Sequence, residues 1–202
     1  MKHAVILAHP KPTSFCATVA ERYAAQARAL GHEVTVRDLY GMKFDPCLKA
    51  EEIPTGRSFH AAEDVLAERA LLSDADVFAL VYPLWFNAPP AILKGYIDRV
   101  FSMGFGYEPI SGGTAPLLEG RQLISFTASG APEEWVRRTG AMAALHTLFD
   151  KHLAQMTGLT IADHVHFGGI TPLIEAEAVE DMLRDVDEAV RRAFRQAEPS
   201  LP

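Results

Sequence analysis

Apolar residues in this chain come in two rhythms. Residues 3–8 (HAVILA) and 76–82 (DVFALVY) are short, nearly unbroken apolar runs, which fit strands covered on both faces. Residues 33–38 (EVTVRD) alternate and predict an edge strand. Residues 121–127 (RQLISFT) and 159–167 complete five strands. The intervening segments carry helical spacing. Residues 14–30 are Ala-rich, with Gly31 just past their end as a left-handed stop. Residues 58–73 predict a second helix. In residues 90–102, Ile92, Tyr96 and Val100 repeat every four positions beside Leu93, Ile97 and Phe101, giving one apolar face. Residues 133–157 predict a helix broken at Gly140, and residues 175–196 a charged terminal helix. Residues 40–56, with two prolines and two glycines, read as a long excursion, and residues 111–120 as a loop. The tail 198–202 is expected to fray.

Strands alternating with helices imply α/β architecture: a five-stranded parallel sheet with helices on both faces, in one domain spanning residues 1–202. In such folds ligands bind past the carboxyl ends of the strands. The loops there read AHPKPTSF, YPLWFNAPP, TASGAPEEW and HFGGITP, and they are where the sequence departs from a generic pattern.

A net charge of -7 argues against nucleic acid and anionic membranes as partners. No apolar stretch approaches the ~20 residues that span a bilayer, and the N-terminus lacks the pattern of a signal peptide. The expectation is a soluble cytoplasmic protein without membrane insertion. The two cysteines, Cys16 and Cys47, form neither a disulfide framework nor a zinc motif.

AHPKPTSF has neither GxGxxG nor GxxxxGK[ST], which disfavours a dinucleotide fold and a P-loop. Thr13 and Ser14 suit an N-cap, and a helix start also suits a phosphate. In PLWFN, prolines stiffen the backbone around Trp85, Phe86 and Asn87; aromatic faces and an amide there suit a flat heteroaromatic ring, while core or dimer packing is the plainer use. TASGA offers Thr127, Ser129 and Gly130, whose small side chains let backbone donors approach a ring carbonyl. There is no GxSxG elbow. His164 and His166 alternate on one strand without a carboxylate or third ligand at metal spacing, so they read as ordinary strand residues and no metal set is assigned. Arg137 and Arg138 read as a solvated helix face.

Together these stretches resemble the NAD(P)H:quinone oxidoreductase family of flavodoxin-like flavoenzymes, colinearly over most of the chain. AHPKPTSFCATV is similar to the family's AHxxxTSFN loop. RDLYGMKFDPCL is similar to DLYxMxFxP, YPLWFNAPPAILKGYIDRVFSMGFGY to FPLxWFxxPAILKGWxxRVFxxGFAY, and LLEGRQLISFTASGAP to LLxGKxxxxSxTTGG. The resemblance implies that Pro83, Leu84, Trp85, Phe86 and Asn87 line an isoalloxazine ring. It implies that Thr127, Ala128, Ser129 and Gly130 hold the pyrimidine edge, and that His9, Thr13, Ser14, Phe15 and Cys16 hold the ribityl and phosphate region. Tyr107 and Trp135 would line the substrate pocket, Tyr107 from a partner subunit. The departures are Cys16 for Asn, an aromatic pair one place early, TASG for TTGG, Trp135 for a tyrosine, and Ala141 where the family has a histidine that assists hydride transfer.

The activity implied is reduction of quinones or similar flat acceptors by NAD(P)H, through two-electron ping-pong hydride transfer. The flavin carries the hydride and no side chain is assigned a catalytic role. The excursion at residues 40–56 resembles FAD-binding members, so FAD is expected, with FMN the other candidate. A homodimer is implied. The alternative is a non-enzymatic or regulatory flavoprotein: an electron carrier or an ancillary subunit of a transport system.

Overall fold

The computed structural model describes residues 1–54 and 59–195. The expected helix start at residue 58, the helix end at 196 and the tail lie outside these. The first half of the chain holds β1 (Lys2–Leu7), α1 (Phe15–Ala29), β2 (Glu33–Asp38), α2 (Glu63–Leu72), β3 (Val77–Pro83) and α3 (Ala91–Val100). A hairpin follows, β4 (Tyr107–Ile110) and β5 (Gly113–Pro116), then β6 (Gln122–Ala128) and α4 (Glu133–Arg138). Beyond these lie α5 (Ala141–Leu145), α6 (His152–Thr157), β7 (Thr160–Phe167) and α7 (Ala176–Phe194).

The main sheet runs β2-β1-β3-β6-β7, all parallel, with β2 on the edge its alternating pattern predicted. Every residue of the central β3 is buried, as its unbroken apolar sequence requires. Phe78, Leu80 and Tyr82 pack on one face with Val65, Leu93 and Tyr96; Val77, Ala79 and Val81 pack on the other with Tyr23, Val186 and Val190. Each large apolar side chain buried this way contributes roughly 1.5–3 kcal/mol, so two full layers hold the strand ends in fixed positions.

The excursion after β2 is pinned onto α3. A Cβ on Gly95 would lie 2.1 Å from the Pro46 carbonyl oxygen, so only glycine lets the loop approach this closely. Helix α4 ends before Gly140, which has φ 77°, as the break predicted there requires. The helical run then continues from α5 through a π-helical turn, His146–Lys151, into α6.

Two readings are corrected. Residues 111–120, expected to be a loop, contain β5: Gly112 at φ 85° closes a two-residue turn, and Gly113–Pro116 pairs back on Tyr107–Ile110. His164 and His166 are not ordinary strand residues. The β6–β7 register shifts between Leu123/Ile124, so that Leu123 pairs with Ile161 and Ile124 with Asp163, leaving Ala162 as a bulge. This one extra residue sets His164 opposite Ser125 and His166 opposite Thr127, on one sheet face.

A candidate active-site cleft at the strand ends

A cleft of about 170 Å³ opens at the carboxyl ends of β1, β3 and β6. His9 comes from the loop after β1, and Phe15 and Cys16 from the first turn of α1. Pro83, Leu84 and Trp85 come from the end of β3, Ala128, Ser129 and Gly130 from the end of β6, and Ile170 from the loop after β7. Nine of these ten were singled out in the sequence; Ile170 was not. A larger hollow of about 760 Å³ beside the β4–β5 hairpin lies between Phe59, Met103 and residues 108–111. It lies away from the carboxyl ends of the sheet strands, so the smaller cleft is the better candidate.

The cleft's donors follow from local structure. Ser14 caps α1, its side chain accepting from the Ala17 N–H at 3.2 Å. The N–H groups of Phe15 and Cys16 have no intrahelical partner and stand at the positive end of a 15-residue helix. No carboxylate stands among the ten lining residues. Despite the acidic chain, this end of the sheet therefore suits an anionic group. His9 Nδ1 accepts from the Lys11 N–H at 3.0 Å, and burial pushes its pKa down, so it stands neutral beside Trp85 at 6.0 Å between ring centroids. Burial pushes the Cys16 thiol up to about 12, which makes it a wall rather than a nucleophile.

The turn after Trp85 is tight. Trp85 and Ala88 exchange both backbone hydrogen bonds at 3.1 Å, with Phe86 at φ 52° and Asn87 at φ 56° between them. Asparagine tolerates the left-handed region; phenylalanine does so at a cost of about 1–2 kcal/mol. Phe86 is fully exposed at the tip.

Several expected site residues stand elsewhere. Phe86 and Asn87 form the turn tip and do not line the cleft, because the turn ends at Ala88 and swings them outward. Thr13 is exposed, and the Ser14 side chain is engaged in its cap. Trp135 is exposed on α4. Tyr107 lines a separate pocket of about 250 Å³, together with Phe101, Phe149 and Met156. The Thr127 side chain points away from the cleft: it is fully buried, 2.9 Å from both His164 Nε2 and His166 Nδ1.

That contact belongs to a polar chain the sequence reading missed. Buried Asp150, from the π-helical turn, lies with Oδ2 2.6 Å from His164 Nδ1 and 3.0 Å from His146 Nδ1; its Oδ1 accepts from Ser125 Oγ at 3.3 Å. His164 therefore does have a carboxylate partner. The ligand atoms of His146, Asp150 and His164 lie within 4.8 Å of one another, and the 2.6 and 3.0 Å separations from Asp150 to the two rings are hydrogen-bond lengths. His166 Nε2 lies 3.1 Å from Ser129 Oγ, at the cleft wall. The signal that could have found it is the alternation Ser125, Thr127, Ser129 facing His164, His166 on strands that should otherwise be apolar.

The chain matches the family described as flavodoxin-like fold over residues 1–190. It is 35% identical over 184 residues to a Haemophilus influenzae protein named as an uncharacterized NAD(P)H oxidoreductase, covering 91% of each chain. It is 31% identical to the Cavia porcellus NAD(P)H dehydrogenase [quinone] 1, over 63% of this chain and 53% of that longer one. Among solved structures, the NAD(P)H:quinone oxidoreductase of Methanothermobacter marburgensis superposes with a TM-score of 0.83 at 28% identity, covering 95% of this chain and 98% of that one. The chain belongs to the flavodoxin-like family, as its resemblance implied. No helix among the described residues is long and apolar enough to cross a membrane.

Proposed function

We propose that this oxidoreductase binds a flavin in the cleft and uses it to pass a hydride from NAD(P)H to a quinone-like acceptor. The observation that carries this reading is the convergence, at one strand-end cleft, of a helix N-terminus, an aromatic wall and small-residue loops, in a chain whose relatives are named for that activity. The fit is chemical. The unpartnered N–H groups of Phe15 and Cys16 suit the flavin phosphate. Pro83, Leu84 and Trp85 offer a flat apolar wall to the ring. Ala128 to Gly130 leave room for backbone donors at its polar edge. When bound, the flavin supplies the hydride chemistry; the residues around it orient and exclude water. FAD is the flavin favoured, by the resemblance of the excursion packed over α3 to FAD-binding members, with FMN the other candidate. Tyr107 lies outside its own chain's cleft, so a homodimer in which it reaches a partner's cleft is part of the reading.

The test is the absorbance spectrum of the purified protein, the identity of the flavin released by heat, and anaerobic addition of NADH and NADPH. A yellow protein bleached by either nucleotide supports the reading. A colourless protein that takes up neither FAD nor FMN overturns it.

A further inference from the structure

We propose that Asp150, His164, Thr127, His166 and Ser129 form a proton relay running along one face of β6 and β7 to the cleft. The inference rests on the cleft being the reaction site. It concerns this chain's own residues.

Four consecutive contacts make the path. Asp150 Oδ2 to His164 Nδ1 is 2.6 Å, and His164 Nε2 to Thr127 Oγ1 is 2.9 Å. Thr127 Oγ1 to His166 Nδ1 is 2.9 Å, and His166 Nε2 to Ser129 Oγ is 3.1 Å. Both ends are placed for exchange. At one end the His146 side chain is 35% exposed and contacts the same Asp150 oxygen, while at the other Ser129 lines the cleft. The Asp150 end is shielded, with the His164 and Asp150 side chains 2% and 1% exposed, and Thr127 is fully buried, while His166 is half-buried. A bulge at Ala162 and a π-helical turn, both local irregularities common at functional sites, are what bring these groups into line.

The Thr127 and Ser129 hydroxyls both donate and accept, and each imidazole can carry its proton on either nitrogen, so the path from His164 to Ser129 can be written in two opposite polarities. At the start His164 carries a proton on each ring nitrogen, the Nδ1–H facing the Asp150 carboxylate. His164 gives its Nε2 proton to Thr127 Oγ1, and Thr127 gives its hydroxyl proton to His166 Nδ1. His166 gives its Nε2 proton to Ser129 Oγ, and Ser129, whose hydroxyl donates to the Ala131 carbonyl at 2.8 Å at rest, turns from that carbonyl and gives its hydroxyl proton to the accepting atom in the cleft. One proton leaves, no electron moves, His164 ends neutral, the three hydrogen bonds from His164 Nε2 to Ser129 are reversed and the Asp150–His164 bond keeps its direction. Rotation of the hydroxyls, exchange of the ring proton between the two nitrogens of His164 and of His166, and uptake of one proton at the His146 end, passed through Asp150 to His164 Nδ1, restore the first state. The other charged or titratable groups facing the path are Lys151 beside His146, Asp163 under the His164 N–H with its partner Arg192, and Tyr82 on β3, which feels the Asp150 charge. Tyr82 Oη is the one buried side-chain polar atom without a partner among the described residues, which marks this face as built around polar groups.

Thr127→Val cuts the path at its middle, and Thr127→Ser restores the hydroxyl. Nitrogen-15 NMR of the histidine rings in the flavin-loaded protein reads the path without turnover. In the parent protein and in T127S, the His164 and His166 ring signals move together with pH and on flavin reduction; in T127V they move independently. Acceptor turnover falls about a hundredfold in T127V with an altered pH profile and solvent isotope effect, and T127S recovers most of it. Unchanged ring coupling and turnover in T127V, in a protein that still bleaches with NAD(P)H, overturns the relay while leaving the flavin reading intact. One equivalent of tightly held metal on His146, Asp150 and His164 also overturns it.

Discussion

Arg99 on α3 holds Glu52 of the excursion with Nε 2.9 Å from Oε2, and both side chains are almost wholly buried. The same guanidinium reaches the Asp45 carbonyl at 2.6 Å and Asp64 at 2.8 Å. One side chain thus fastens the loop after β2 and the start of α2 to the helix that follows the Trp85 turn. Burial pushes the Glu52 carboxyl up, but the Arg99 hydrogen bonds and charge outweigh it and hold it below its ordinary value. That stability is present above the unfolded carboxyl pKa and is lost as pH falls from there through the lowered folded value. Glu52→Ala leaves a buried cation short of a partner and is expected to cost about 3 kcal/mol in urea unfolding.

Gly95→Ala tests the same junction by volume. Its Cβ meets backbone at 2.1 Å, and backbone cannot rotate aside as a side-chain tip can. A loss of roughly 1–3 kcal/mol is expected, with faster proteolysis of the excursion. A variant as stable as the parent contradicts the packing described.

Stability should also fall on mild acidification. Burial, then the neighbouring His32, lower His3 from 6.5 to about 4; burial, then His164, lower His166 likewise. A histidine depressed in the folded state leaves the unfolded chain with more bound protons below pH 6.5. Stability is therefore full above that value and drains away towards pH 4, each site adding up to about 1.4 kcal/mol per pH unit of slope. Unfolding titrations across this window should show it, and a flat profile contradicts the buried neutral rings.

Phe86 combines full exposure with a left-handed backbone, which stability alone does not favour. Phe86→Gly is expected to leave the protein as stable or about 1 kcal/mol more so. If the tip covers ligands at the cleft mouth, the KM for the acceptor rises in the same variant. A clear loss of stability shows that the turn needs its aromatic side chain.

The alternation of apolar runs was enough to place the sheet, the helices and the four loops that meet at the cleft, because strand ends in this architecture are where loops converge. What it could not place were features set by register. Asp150 looks like a surface charge on a helix, and only the π-helical turn aims it inward. His164 and His166 read as strand filler because the bulge at Ala162, which turns them towards Ser125 and Thr127, has no marker in the sequence. Phe86 and Asn87 were assigned to the cleft with Trp85 because adjacency in sequence does not show a two-residue turn reversing the chain.

The most direct test of the cleft is flavin titration of the flavin-depleted protein beside Gly130→Asp. A Cβ at position 130 meets only the Ile170 carbonyl oxygen, at an ordinary 3.7 Å, so the variant keeps its fold while placing a carboxylate in a wall that has none. The expected result is one flavin per chain in the parent, with flavin fluorescence quenched, and at least a tenfold weaker association in the variant, of order 1.4 kcal/mol. Equal affinity in the two proteins, or no binding in the parent, contradicts the assignment of this cleft.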